Sequence, residues 1–176
     1  KGLMVANMMA SIPDYNKYAQ EVLAPQMDTA VLAEIKSIEA RNDYANPRYM
    51  ELLVPNFYHK HLCRLAEWPD PLNRAIKHLN PDIYVLMQGP SEFRASGRLA
   101  NWDIKNRLKE IRVPTLMIGA KHDTMDPKAM EEQSGMVQKG RYLYCPNGSH
   151  LAMWDDQEIF MDGVMGFIKD VDEGKF

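Results

Sequence analysis

The sequence predicts an α/β fold in which parallel strands with flanking helices carry an inserted all-helical block. Three observations support this prediction: an apolar run near the start (3–9), then about a hundred residues with helical spacing, then an alternation of strand and helix patterns over 113–176. We therefore expect residues 1–10 to form a core strand, residues 11–109 a helical cap, and residues 110–176 a further segment of the α/β core.

Composition and charge exclude several classes of function. The 176 residues are 45% hydrophobic, enough to build a core, and their formal net charge is −3. No basic block indicates a nucleic-acid or membrane-surface partner, and no apolar run is long enough to span a bilayer. The two cysteines, Cys63 and Cys145, lie far apart, which favours a reducing, cytoplasmic location over a disulfide framework. The oligomeric state stays open.

The first apolar run, "LMVANMM", predicts a buried strand, and the block after it carries clear helix signals. Asn46-Pro47 and Asn80-Pro81 each pair a capping residue with a proline at the first helical position. Pro55 should kink or split the helix that starts at Pro47, and Gly89 should end the one that starts at Pro81.

The last block (113–176) alternates between strand patterns and helix patterns. "VPTLMIGA" (113–120) predicts a central parallel strand, and "GRYLYCPN" (140–147) predicts the next one. Two helices are predicted at 126–137 and 155–171. One face of the last helix is expected to be buried through Ile159, Phe160, Val164, Phe167 and Ile168.

Two residues that can carry acid–base chemistry follow the two predicted strands. Asp123 comes shortly after the first, and His150 shortly after the second. Because functional groups of parallel sheets gather at the carboxyl ends of the strands, adjacent strands would place this acid and base side by side. A carboxylate on one imidazole nitrogen leaves the other free to accept a proton. An Asp and a His in two loops are by themselves more often solvated loop residues. Their position after each strand and their order, which is that of α/β-hydrolases, favour the functional interpretation.

Several longer motifs resemble one family. "VPTLMIGAKHDTMDP", "CPNGSHLAMWDDQE", "MQGPSEF…NWD" and "NPRYMELLVPNFYHKHL" look like parts of proline iminopeptidases, with the closest likeness to the tricorn-interacting aminopeptidase branch of the α/β-hydrolase fold. The resemblance covers nearly the whole chain and corresponds to the C-terminal portion of these serine peptidases. It implies an enzyme that needs no metal or organic cofactor and acts on short peptides with a free N-terminus.

The resemblance also implies roles for individual residues. Asp123 would be the triad acid, His150 the triad base, and Glu92 a cap carboxylate that binds the α-amino group of the substrate. Without the resemblance, the residues favour a solvent-exposed helix-end or loop carboxylate for Glu92. Thr124 stands where the family often has a second glutamate, and Trp154 follows the base closely. We expect both to contribute to the substrate site.

The nucleophile is not recognisable in the chain. None of the six serines has glycine at both −2 and +2, as the nucleophile elbow requires. The resemblance therefore implies that the serine and the oxyanion hole precede residue 1. It also implies that residues 1–176 alone are inactive. Two alternatives stay open: another capped hydrolase (an esterase, epoxide hydrolase or dehalogenase) and a non-catalytic, hydrolase-like binding module. No metal site is expected, because His59 and His61 would face different sides of a helix.

Overall fold

A parallel three-stranded sheet lies at the centre of the computed structural model, which describes all residues from 1 to 176. The strand order is β1-β2-β3, and both neighbouring pairs are parallel. Val5 of β1 lies beside Met117 of β2, which lies beside Tyr142 of β3. The predicted parallel α/β arrangement is thus confirmed, and no helix in the structure has the length and apolar character to cross a membrane.

The elements follow the predicted order. The strands are β1 (Leu3–Ala6), β2 (Thr115–Ala120) and β3 (Gly140–Cys145). The α-helices are α1 (Ile12–Tyr18), α2 (Thr29–Ala40), α3 (Pro47–Leu53), α4 (His59–His61), α5 (Asp70–Lys77), α6 (Pro81–Met87), α7 (Pro127–Met136), α8 (Ala152–Asp155) and α9 (Gln157–Asp172). Two π-helical turns (Ala19–Leu23 and Val54–Tyr58) and three 3₁₀ turns (Ala24–Gln26, Arg98–Asn101 and Lys105–Glu110) complete the helical structure.

The first strand differs from its prediction. Strand β1 ends at Ala6, and Asn7 follows in a left-handed conformation with φ of 53°. Within residues 1–176 this strand is not buried as predicted, because Leu3 is 37% exposed and Met4 47% exposed. The reason is topological: β1 has a neighbour on one side, whereas the six residues of β2 lie between two strands and are all buried.

An asparagine cap followed by a proline begins α3 and α6, as predicted. The side chain of Asn46 accepts a hydrogen bond from the N–H of Arg48 at 3.0 Å, and that of Asn80 accepts one from Ile83 at 3.1 Å. Pro55 lies in the π-helical turn directly after α3, so the expected split is present. Beyond α6, however, the block is mostly irregular, with short 3₁₀ turns instead of regular helix.

Buried side chains form three clusters that divide between the helical block and the sheet. One lies wholly within the helical block and is centred on residues such as Ile35, Leu53, Phe57 and Phe93. The other two contain the buried side chains of the sheet and the helices against it. Helix α1 belongs with the sheet, because Ile12 and Tyr15 pack in the same cluster as Met117 of β2.

The apolar stripe of α9 is narrower than predicted. Phe160 and Phe167 are buried against the sheet, with Val164 partly buried between them. The prediction is wrong for Ile159 and Ile168, which are 40% and 38% exposed. Spacings of four and three residues keep one side of a helix toward the sheet, and these two isoleucines lie beside that stripe.

Candidate active site

The turn after β2 holds a fully buried carboxylate. Asp123 has no exposed surface, and its Oδ1 accepts a hydrogen bond from the backbone N–H of Met125 at 3.1 Å. Its Oδ2 accepts one from Nδ2 of Asn7 at 2.7 Å. A buried carboxylate is tolerated when its oxygens are hydrogen-bonded in this way, so the turn holds the acid in one orientation.

The turn after β3 brings an imidazole to that acid. Nδ1 of His150 lies 2.9 Å from Oδ1 of Asp123, and the imidazole side chain is 21% exposed. The two turns are joined by backbone hydrogen bonds from Lys121 to Cys145 (3.1 Å) and from His122 to Gly148 (3.0 Å). The side-by-side placement expected of parallel neighbours is therefore present. Nδ1–H donates to the carboxylate, which leaves Nε2 as the nitrogen that can accept a proton.

The electrostatic environment of His150 stabilises its protonated form. Burial opposes the charged imidazolium, but the adjacent Asp123 carboxylate outweighs it through charge and hydrogen bonding, with a smaller contribution from Glu92. The pKa of His150 is consequently raised above its ordinary value. An imidazole in this setting can take a proton and hold the resulting charge against a fixed carboxylate.

An apolar cavity of about 420 Å³ opens beside His150. Its walls come from α3, α5 and α6, from the segments around Tyr58 and Glu92, and from the turn that carries His150. We call this turn after β3 the base turn, and the turn after β2 that carries Asp123 the acid turn. Most of the lining side chains are hydrophobic: Met50, Leu62, Leu72, Ile76, Leu79, Val85 and Leu151 are among them. The ionisable side chains on this wall are those of Glu92, His150 and two tyrosines, Tyr58 and Tyr84. A small ligand with an apolar body and one cationic group fits such a surface.

Three tyrosines surround Glu92. The hydroxyl of Tyr84 donates to Oε1 of its carboxylate, and the hydroxyl of Tyr15 donates to its backbone carbonyl. The hydroxyl of Tyr58 accepts the backbone N–H of Glu92 at 3.0 Å. Burial, followed by the nearby Glu92 charge, raises the pKa of Tyr84, and burial also raises the pKa of Tyr58. These phenols stay protonated at neutral pH and hold the glutamate against the cavity. No local sequence signal marks them, because the tyrosines are 8 to 77 residues away from Glu92 along the chain.

The base turn is joined to the helical block by backbone hydrogen bonds. The N–H of His150 donates to the carbonyl of His61, and the N–H of Leu151 donates to that of Leu62, both at 2.9 Å. Nδ1 of His61 lies 2.9 Å from the carbonyl of His122, so the same segment also reaches the acid turn. The position of His150 therefore depends on the segment around His61 as well as on the sheet.

A second carboxylate, that of Asp155, also joins the base turn to the helical block. Oδ1 of Asp155 accepts the N–H of Ser149, and Oδ2 accepts the N–H of Arg64, both at 2.9 Å. The hydroxyl of Ser149 lies within hydrogen-bond reach of both Asp155 and the carbonyl of Leu62. No local pattern in the sequence marks Asp155, because Arg64 lies 91 residues away along the chain.

The remaining predicted site residues have different surroundings. Thr124 is fully buried, and its hydroxyl lies 3.3 Å from Oδ1 of Asp123 and 3.2 Å from Nδ1 of His150, away from the cavity lining. Trp154 is half-buried in α8, and Leu151 lines the cavity near the base instead. The substrate-binding roles of Thr124 and Trp154 stay predictions.

Other reactive side chains are accounted for by packing. His59 lies against the ring of Trp68, with 5.1 Å between centroids, while His61 points to the acid turn. No group of three or more histidine, cysteine, aspartate or glutamate side chains is arranged to hold a metal ion. Cys145 is buried, and burial raises the pKa of its thiol to about 12, so it carries little thiolate at neutral pH.

The chain resembles two solved structures over nearly its whole length. Over 97% of its length the chain superposes on the crystal structure of VinJ with a TM-score of 0.91 and 26% identity, covering 57% of that chain. It superposes on the proline iminopeptidase of Mycobacterium smegmatis with a TM-score of 0.85 and 26% identity, over 99% of this chain and 58% of the other. The fold, with its acid and base after adjacent strands, is that of the α/β-hydrolases.

Sequence comparison finds more similar relatives. The chain is 73% identical to a proline iminopeptidase of Flavobacterium johnsoniae and 71% identical to one of Elizabethkingia meningoseptica, over 99% and 100% of its own length. No family model matches the sequence. The resemblance to proline iminopeptidases that the motifs predicted is confirmed over the whole length of the chain. It spans 59% of the length of these two relatives.

Proposed function

We propose that the whole protein is a serine-type aminopeptidase that releases N-terminal residues, proline among them, from short peptides. One observation carries the proposal: His150, which is hydrogen-bonded to Asp123, lines the same apolar cavity as Glu92. The chain is also 73% identical to a named proline iminopeptidase. In this proposal the cap over the site lies within residues 11–109, apart from α1, which packs with the sheet. Residues 1–10 and 110–176 belong to the hydrolase core.

The proposed reaction uses a serine supplied from outside these residues. None of the six serines of the chain makes a hydrogen bond to the ring of His150. In the proposal Nε2 of His150 takes the proton of the serine hydroxyl as its oxygen attacks the scissile carbonyl, and then gives it to the leaving amine. Water repeats the cycle on the acyl-enzyme, with Asp123 stabilising the imidazolium in both halves. This chemistry requires no metal or organic cofactor.

Glu92 supplies the reason for an N-terminal preference. An ammonium that enters a mostly apolar cavity loses its hydration, so a carboxylate partner must replace it. The hydroxyl of Tyr84 already occupies Oε1 of Glu92, which leaves Oε2 for the substrate amine. Simple esters lack this cation, so the carboxylate distinguishes the proposal from an esterase. Free, buried cysteines support a cytoplasmic location, which we propose as well.

The test is a comparison of substrates in the full-length protein. In Glu92→Gln we expect kcat/KM for proline and alanine arylamides to fall about 10²–10³-fold, because a desolvated, charge-assisted contact is lost. Hydrolysis of 4-nitrophenyl acetate, which has no amine, should change less than about threefold. Glu67→Gln, at an exposed position of the same helical block, is the matched control. Equal losses on arylamide and ester would contradict amine recognition by Glu92.

A further inference from the structure

Asn7 stands at the end of β1 in a conformation that few residues adopt. Its φ is 53°, its backbone N–H donates to the carbonyl of Ile118 at 2.9 Å, and it is 5% exposed. Asparagine is one of the few side chains found regularly in this left-handed region. The turn carries the chain away from the sheet and directs the amide of Asn7 toward the acid and base turns.

One amide nitrogen reaches both of these turns. Nδ2 of Asn7 donates to Oδ2 of Asp123 at 2.7 Å and to the backbone carbonyl of Ser149, the residue before His150, at 3.3 Å. The amide cannot be turned over without setting its oxygen against the carboxylate, so the acid dictates the orientation. Both hydrogens of Nδ2 are thus used within the acid–base pair and its supporting turn.

The other end of the amide is unsatisfied. Oδ1 of Asn7 is buried and has no hydrogen-bond partner. No other buried side-chain nitrogen or oxygen of the chain lacks one. Leaving a buried acceptor unpaired costs free energy, and most proteins avoid it. This unpaired oxygen belongs to a residue whose donor end is fully used at the acid and base.

We infer that Asn7 is a positioning residue of the acid–base pair, which holds the second oxygen of Asp123 and the turn of His150 in one arrangement. This inference rests on the proposed function. Asn7 fixes the rotation of the carboxylate, so that Oδ1 stays in line with Nδ1 of His150. By donating to Oδ2 it also spreads the carboxylate charge, which reduces the pull of Asp123 on the imidazolium. Asn7 touches neither substrate nor reacting atoms.

The test uses Asn7→Gly in the full-length protein, because glycine keeps the left-handed turn while removing the amide. Asn42→Gly is the matched control, since Asn42 has the same conformation (φ of 52°) but is exposed and makes no side-chain hydrogen bond to the pair. For Asn7→Gly we expect kcat on proline arylamide to fall about ten- to a hundredfold, with KM changed less than about threefold.

The pH profile separates positioning from a merely structural role. Asp123 and Glu92 are the charged groups that act on His150, and both are unaltered in this variant. Without the Asn7 donor the carboxylate charge is more concentrated, so the acidic limb of kcat/KM should move to higher pH. The Nδ1–H proton resonance of His150, measured by NMR, should move as well. Asn42→Gly should reproduce the wild-type profile and spectrum.

Two outcomes would overturn the inference. If Asn7→Gly keeps the wild-type kcat and pH profile, whatever its thermal stability, Asn7 is structural only. If Asn7→Gly does not fold, Asn7→Asp keeps a residue that tolerates the left-handed turn while removing the amide donor, and a His150 resonance that does not move in this variant counts against positioning. The NMR measurement needs no substrate. Lack of arylamide turnover by the wild-type protein would therefore refute the proposed function while leaving the role of Asn7 decided by the spectra.

Discussion

The turns that carry Asp123 and His150 follow neighbouring strands but are held in different ways. The acid turn is fixed from the core: its carboxylate has no exposed surface and is bonded by Met125 within the turn and by Asn7 at the end of β1. The base turn is fixed largely by the helical block, whose backbone carbonyls at His61 and Leu62 accept its N–H groups. The orientation of Asp123 therefore depends on contacts within the sheet and its turns. The position of His150 depends in addition on the packing of the helical block against the turn that carries it.

The largest effect is expected from removing the base itself. His150→Ala in the full-length protein should lower kcat for proline arylamide by at least about 10³-fold, since no other group can accept the nucleophile proton. The fold should persist, because the backbone N–H that joins the turn to His61 is retained. Activity measured beside circular dichroism checks both points. Retained turnover would contradict the proposed role of His150.

A second variant breaks the junction that holds the base turn while leaving the pair intact. Asp155→Ala removes the acceptor for the N–H groups of Ser149 and Arg64. We expect about 2–4 kcal/mol of lost stability, because partly buried donors are left without partners. Amide hydrogen exchange should accelerate at Leu151, which donates to Leu62.

The control for this variant is Asp162→Ala, an exposed acid on α9. It should leave stability within about 0.5 kcal/mol of wild type, as is usual for surface substitutions. Unchanged exchange at Leu151 in Asp155→Ala would show that the helical block does not hold the base turn.

The smallest expected effect is the pH dependence of stability, in which two histidines of the junction act in opposite directions. The pKa of His150 is raised in the folded state, so its contribution is fully present below its ordinary pKa and is lost as pH rises through the raised value. Burial lowers the pKa of His61, so the unfolded chain takes up that proton first and stability falls as the pH drops below the ordinary value.

Urea unfolding from pH 5 to 9 checks these signs. His150→Ala should remove the loss of stability on the alkaline side and leave the acid-side loss due to His61 in place. An unchanged alkaline slope in the variant would contradict a raised pKa for His150.

Much of the fold follows from local patterns in the sequence. The continuous apolar run of β2 identified a strand buried between neighbours, and Asn46 and Asn80 marked helix starts where the structure has them. These features depend on residues within a turn or two of one another, so a single sequence contains the information. The exposure of Met4 in β1 could not be predicted in this way, because it depends on which strands lie beside it.

The sequence by itself determined that an acid, Asp123, and a base, His150, follow two strands of parallel type, because strand periodicity and chain order are local features. The structure showed that these strands are neighbours, which places the two side chains together. Only the tertiary structure decided what holds them. The amide of Asn7 comes from 116 residues away from Asp123, and the hydroxyl of Ser149 lies against the carbonyl of Leu62 across 87 residues. Hydrogen bonds over such separations leave no local periodicity, since their geometry is set by the packing of whole elements. The site therefore became visible in the sequence, and its support only in the fold.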